Sequence, residues 1–114
     1  MCAQYELLLS LPNLLEYLGA VATNELQATY VPKPARILPQ RTGIVAIQLP
    51  RQSPSATELR PMRFSLLPSW SKEPKVKFAT YNARVESILE KATWRTPFSR
   101  NHCLVPMTGF FEAI

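Results

Sequence analysis

Apolar positions along this chain change period several times, and each change predicts an element. Leu11, Leu14, Leu15 and Leu18 recur at helical spacing, with Ser10 or Asn13 as a cap and Gly19 as a stop. That pattern predicts one short amphipathic helix. Residues 44–49 are rich in β-branched side chains and bounded by Gly43 and Pro50, which predicts a buried strand. Residues 52–58 read as a polar loop; then Met62, Phe64 and Leu66 alternate with Arg63 and Ser65, as in a half-buried strand. Val85, Ile88, Leu89 and Ala92 form the inner stripe of a second predicted helix, with Asn82 a candidate for its cap. Cys103, Leu104 and Val105, then Phe110 and Phe111, read as strand on either side of a turn at Thr108 and Gly109.

Eleven prolines spread along the chain oppose long helices and favour short strands with irregular connections, Pro32, Pro34 and Pro39 marking one extended linker. The fold class expected is mixed α+β, with a largely antiparallel or barrel-like sheet and short helices. The last residues, Phe111 to Ile114, lie inside an apolar, strand-like segment. Domains more often end in loose polar residues, so residues 1–114 are expected to form the N-terminal part of a single domain.

Composition narrows the class. An apolar fraction of 46% suits a globular protein rather than a disordered one. No stretch approaches the roughly 20 apolar residues that span a bilayer, and no secretory signal is recognisable. Cytoplasm is therefore the expected compartment, with Cys2 and Cys103 as free thiols. Three glycines leave no phosphate-binding loop or dinucleotide fingerprint, and no metal-ligand cluster stands out, so neither metal nor cofactor is expected.

Charge adds a partner. The net charge is +5, yet residues 1–32 contain no Lys or Arg, whereas Arg60, Arg63, Lys72, Lys75, Lys77, Arg84, Lys91, Arg95 and Arg100 crowd residues 60–100. Gathered positive charge suits a polyanion, because neutralised phosphates release their counterions. A solvated basic surface is the plainer alternative.

Three groups of residues, taken together, point to a family. They are Met1-Cys2, the run from Met62 through Phe64 to Trp70 with Tyr81-Asn82-Ala83-Arg84-Val85-Glu86, and Cys103-Leu104-Val105-Pro106 with Gly109-Phe110-Phe111-Glu112. Their order and spacing resemble the SOS response-associated peptidase (SRAP) family over essentially the whole chain. The resemblance implies a sensor of abasic sites in single-stranded DNA that crosslinks to them, its peptidase name referring to self-processing that removes Met1. It implies Cys2 as nucleophile, Asn82 and Glu112 beside it, and Arg84 on phosphate. The family also uses a histidine from a later motif, which these 114 residues do not contain.

Some positions depart from the family pattern. The usual opening Met-Cys-Gly-Arg is Met-Cys-Ala-Gln, which removes a basic group near the nucleophile. The usual Trp-Gly pair is Phe64-Ser65, and the Trp after the Phe-x-Glu motif is Ala113.

The implied chemistry explains the residue types. An abasic site is partly an open-chain aldehyde, and a terminal cysteine carries an amine and a thiol on adjacent carbons. The amine condenses to an imine and the thiol closes a five-membered thiazolidine, a step favoured by proximity. An α-amino group, ordinarily about 7.7–8.0, is partly neutral at physiological pH, unlike lysine. Glu112 would move protons at the sugar oxygen and imine, or else be a strand carboxylate facing water. Asn82 would hold the open sugar or a phosphate, or cap a helix. Arg84 would bind phosphate bidentately, or pair with Glu86. Phe64 and Trp70 would stack on bases or pack in the core, Trp70 being the better stacking candidate, and Arg63 beside Phe64 would bind DNA. His102 reads as structural or exposed, and Cys103 as a buried small hydrophobe.

Two other readings compete. A thiol peptidase acting on other proteins needs a Cys–His pair, and His102 is the sole histidine. A non-catalytic remnant that binds single strands is the second. The expected partner is single-stranded DNA containing abasic sites, with no membrane and, if complete, a monomer.

Overall fold

The computed structural model describes residues 3–29, 35–49, 56–74 and 79–112. Their strands form two three-stranded sheets, with three short helices. The first sheet has β1 (Gln4–Leu7) at its centre, β3 (Ala35–Ile37) on one side and β6 (Gly109–Phe111) on the other, all antiparallel. In the second, β5 (Ala56–Arg63) lies between β4 (Thr42–Leu49), antiparallel, and β2 (Ala20–Ala22), parallel. One isolated antiparallel bridge joins Ala46 of β4 to Leu104, which belongs to neither sheet, through mutual backbone hydrogen bonds of 2.8 and 2.9 Å. The fold is α+β, and the described residues close no barrel.

Helix α1 (Leu11–Leu18) follows the sequence pattern at both ends. The Ser10 side chain accepts from the Asn13 amide at 3.4 Å, and Gly19 ends the helix in the left-handed region, φ 59° and ψ 40°. Leu14 on its inner face is 1% exposed. Helix α2 (Asn24–Thr29) is opened by Thr23, whose Oγ1 accepts from the Leu26 amide at 3.2 Å. Both helices contribute to one core, in which Leu14 and Leu26 meet Leu7, Ile44, Ala46 and Leu59.

Pro61 sits in β5 opposite Ile44, beyond the three residues that β2 pairs with. Its missing N–H therefore falls where β5 has become an edge strand, where proline is tolerated.

Other expectations change. Strand β5 begins at Ala56, inside the segment read as loop, and ends at Arg63, so Phe64 and Leu66 lie beyond it. Of the predicted helix over 85–92, residues 85–90 are a run of turns, with Val85 76% and Leu89 55% exposed. The Arg95 guanidinium holds those turns by donating to the Leu89 and Glu90 carbonyls, both at 2.9 Å. The helix that does form, α3 (Ala92–Arg100), starts after them and carries Pro97 within it. Residues 103–105 form a single bridge rather than a strand. The proline-marked linker falls partly outside the described residues, as Pro32 and Pro34 do.

Candidate nucleic-acid interface

A cleft of about 630 Å³ opens where the first sheet, the end of β5 and the 103–107 segment meet. Its lining is mostly apolar and aromatic, with few polar groups, as small-ligand sites commonly are. One wall is built by backbone. The Phe64 amide donates to the Arg41 carbonyl at 2.8 Å and its carbonyl accepts from Gln40 at 2.6 Å. The Leu66 amide then donates to the Thr80 carbonyl at 3.0 Å, which clasps the 64–67 loop to the 80–82 segment.

The loop and segment bring three rings into a row. Phe64 meets Tyr5 edge-on at 5.4 Å between centroids, and Tyr81 on its other side at 6.2 Å. Tyr5 is buried and belongs to β1, so the row is anchored in the first sheet. Asn82, half-buried, follows Tyr81 along the lining, and Trp94 from α3 closes the far side.

Arg63 ends β5 at the same cleft, where its guanidinium donates to the Pro74 carbonyl. Its Nε and the Thr80 Oγ1 are buried without a hydrogen-bond partner. Such atoms are costly unless a water or ligand satisfies them.

The remaining candidates are placed elsewhere. Cys2 lies outside the described residues. Glu112 is exposed and directly follows β6, whose last residue, Phe111, pairs with Gln4, the first residue of β1. Arg84 is exposed and does not line the cleft, and neither does Trp70, which is 61% exposed in a turn. Cys103 is exposed and lines the cleft instead of being buried, and desolvation there raises its thiol pKa. His102 is exposed and its Nε2 bonds the Phe98 carbonyl at the end of α3.

Sequence reasoning missed Tyr5, Tyr81 and Trp94 as lining of one cleft. Tyr81 was adjacent to Asn82 in a motif, which was a usable signal; Tyr5 and Trp94 had none outside the fold. Among the described residues no group of three or more His, Cys, Asp or Glu side chains is placed to hold a metal, and no helix is long and apolar enough to cross a membrane.

The model of the SOS response associated peptidase (SRAP) family matches residues 1–113, and the chain belongs to it. Among its relatives is the abasic site processing protein YoaM of Bacillus subtilis, 36% identical over 58 residues, 51% of this chain and 26% of that protein. The abasic site processing protein HMCES of Rattus norvegicus is 41% identical over 56 residues, 46% of this chain and 16% of its own length. The abasic site processing protein YMR114C of Saccharomyces cerevisiae is 34% identical over 61 residues, 52% of this chain and 17% of that one. The aligned stretches thus span about a quarter or less of each relative.

Proposed function

We propose that this chain senses abasic sites in single-stranded DNA and bonds to them covalently through Cys2 after Met1 is removed. The observation that carries the reading is the cleft, which sets Phe64 and Tyr81 beside Asn82 and Arg63 within a largely apolar wall. Aromatic rings accept unpaired bases of any sequence, each stack contributing about 1–3 kcal/mol. Asn82 offers a donor and an acceptor for the ring-opened sugar, and Arg63 and Arg84 offer charge to the backbone. Abasic-site processing is in the names of the relatives, and a ring-opened abasic site carries the aldehyde that this chemistry needs.

The steps balance without a co-reactant. The Cys2 amine adds to the aldehyde carbon and water leaves, forming the imine. The thiol then adds across the C=N bond, its sulfur to carbon and its proton to nitrogen, closing the thiazolidine. Glu112 is the general acid and base: it protonates the departing oxygen and takes the thiol proton. Its place after β6, at the end where β1 begins, suits that role, since β1 is the strand that Cys2 leads into.

The test is a denaturing gel after incubation with a single-stranded oligonucleotide carrying one abasic site. A shifted, heat-stable band is expected with the processed protein and is lost in Cys2→Ser or when Met1 is retained. A band that persists in Cys2→Ser overturns the reading. Binding without any band would leave a non-covalent single-strand binder.

A further inference from the structure

The basic residue that the family pattern has at position 4 is Gln4 here, yet a cation stands over that place from a neighbouring strand. Arg36 of β3 lies directly opposite Glu6 of β1, two residues further into the strand than Gln4. Its guanidinium does not stay there: it reaches across β1 to the Phe111 ring of β6, with its central carbon 4.2 Å from the ring centroid. Phe111 is the direct partner of Gln4. Cross-strand partners share a face, so Arg36, Gln4 and Phe111 project from the same side of the sheet, and the cation is displaced toward the beginning of β1. The Glu6 carboxylate leans the other way, toward Gly109, where it lies 3.1 Å from the place a Cβ would occupy.

A stacked guanidinium keeps its planar fork of N–H donors directed outward while losing little further freedom on binding. Arg36 is exposed, so that fork is open to solvent. The β1–β6 pair ends at Gln4 and Phe111, so the cation sits at the end of the sheet where β1 begins, on the face opposite Tyr5.

We propose that Arg36, seated on Phe111, grips a backbone phosphate of single-stranded DNA at the rim where β1 begins, and so replaces the cation absent at position 4. It rests on the DNA reading above only for single-strand binding, and needs neither Cys2 nor an abasic site.

The test is titration of a fluorescent, undamaged oligothymidylate of about 12 nucleotides at several salt concentrations, with a thermal melt of each variant. Arg36→Gln is expected to flatten the plot of log affinity against log salt by about 0.7–1, the loss of one phosphate contact, with an unchanged melt. Arg36→Lys keeps the slope but binds several-fold more weakly, because the planar fork is lost. Gln4→Arg added to Arg36→Gln restores the slope. An unaltered slope in Arg36→Gln overturns the proposal, and with a lowered melt it marks the stack as a structural brace. Wild-type protein that binds oligothymidylate but forms no crosslink with the abasic oligonucleotide overturns the covalent reading alone; no binding to either overturns both.

Discussion

Gly43 of β4 lies so close to the Tyr5 hydroxyl that a Cβ on it would collide with that oxygen, and this contact joins the two sheets at the back of the cleft. Tyr5 is 4% exposed and starts the aromatic row, so it has nowhere to retreat. Gly43→Ala is therefore expected to destabilise by about 1–3 kcal/mol, the usual cost of overpacking a filled site, and to alter the near-ultraviolet circular dichroism of the tyrosines. Equal denaturation midpoints for the two proteins would contradict this packing.

Ser65 carries φ 141°, a region that side chains with a Cβ adopt only under strain. It lies where the family pattern has glycine, between Phe64 and Leu66 in the clasped loop. Such strain costs about 1–3 kcal/mol, against roughly 0.5–1 kcal/mol for the extra freedom of an unfolded glycine. Ser65→Gly should therefore stabilise by about 1 kcal/mol and raise the melting temperature by roughly 5 °C. Ser65→Ala keeps the Cβ and should give no gain; equal gains from both variants would refute the backbone argument.

These two positions show what was legible in the sequence. Helix α1 was plain because its caps and its leucine spacing lie within ten consecutive residues. Strand β4 was plain because apolar β-branched residues fill it between Gly43 and Pro50. The stripe at Val85, Ile88, Leu89 and Ala92 had helical spacing too, but Arg95 bonds the carbonyls of Leu89 and Glu90 and the helix begins only afterwards. Apolar periodicity carries no trace of such a side-chain-to-backbone lock. For the cleft, Phe64, Arg63 and Asn82 were found by motif. Tyr5 and Trp94 join them through pairings distant in sequence, such as the hydrogen bond from Leu8 to Thr108 that helps hold β6 on β1.

The core should be unequal in its tolerance. Leu59 in β5 is 0% exposed and packs against residues of both helices, so Leu59→Ala should cost about 2–5 kcal/mol. Leu89, 55% exposed among turns, should change stability by no more than about 0.5 kcal/mol when replaced by alanine. Urea denaturation of the two variants decides it, and a similar loss in both would place residues 85–90 in the core after all.

Cys103 offers a pH test of the cleft wall. Desolvation raises its thiol above the ordinary value of 9.0, and only the thiolate reacts with an alkylating agent. In a Cys2→Ser background, the iodoacetamide rate should rise with pH to a midpoint above that value and, at pH 8, lag behind a free cysteine peptide. A midpoint at or below 9.0 would mean that water reaches the sulfur freely.

Glu112 separates chemistry from binding. It follows β6 in an exposed position and does not line the aromatic cleft, so its loss should leave the grip on undamaged DNA intact. Glu112→Gln keeps the shape and hydrogen-bonding reach of the side chain but cannot exchange a proton near neutrality. The crosslinking rate with abasic single-stranded DNA is expected to fall about 10²-fold, the lower range for loss of a general acid or base. Affinity for oligothymidylate should stay within twofold of wild type, or rise slightly as a negative charge leaves the path of the phosphates. Asn82→Ala, which removes a side chain from the cleft itself, should weaken both. If Glu112→Gln lowered binding and crosslinking by the same factor, the carboxylate would be holding the structure at the end of β6, and the proton would have to travel through another group.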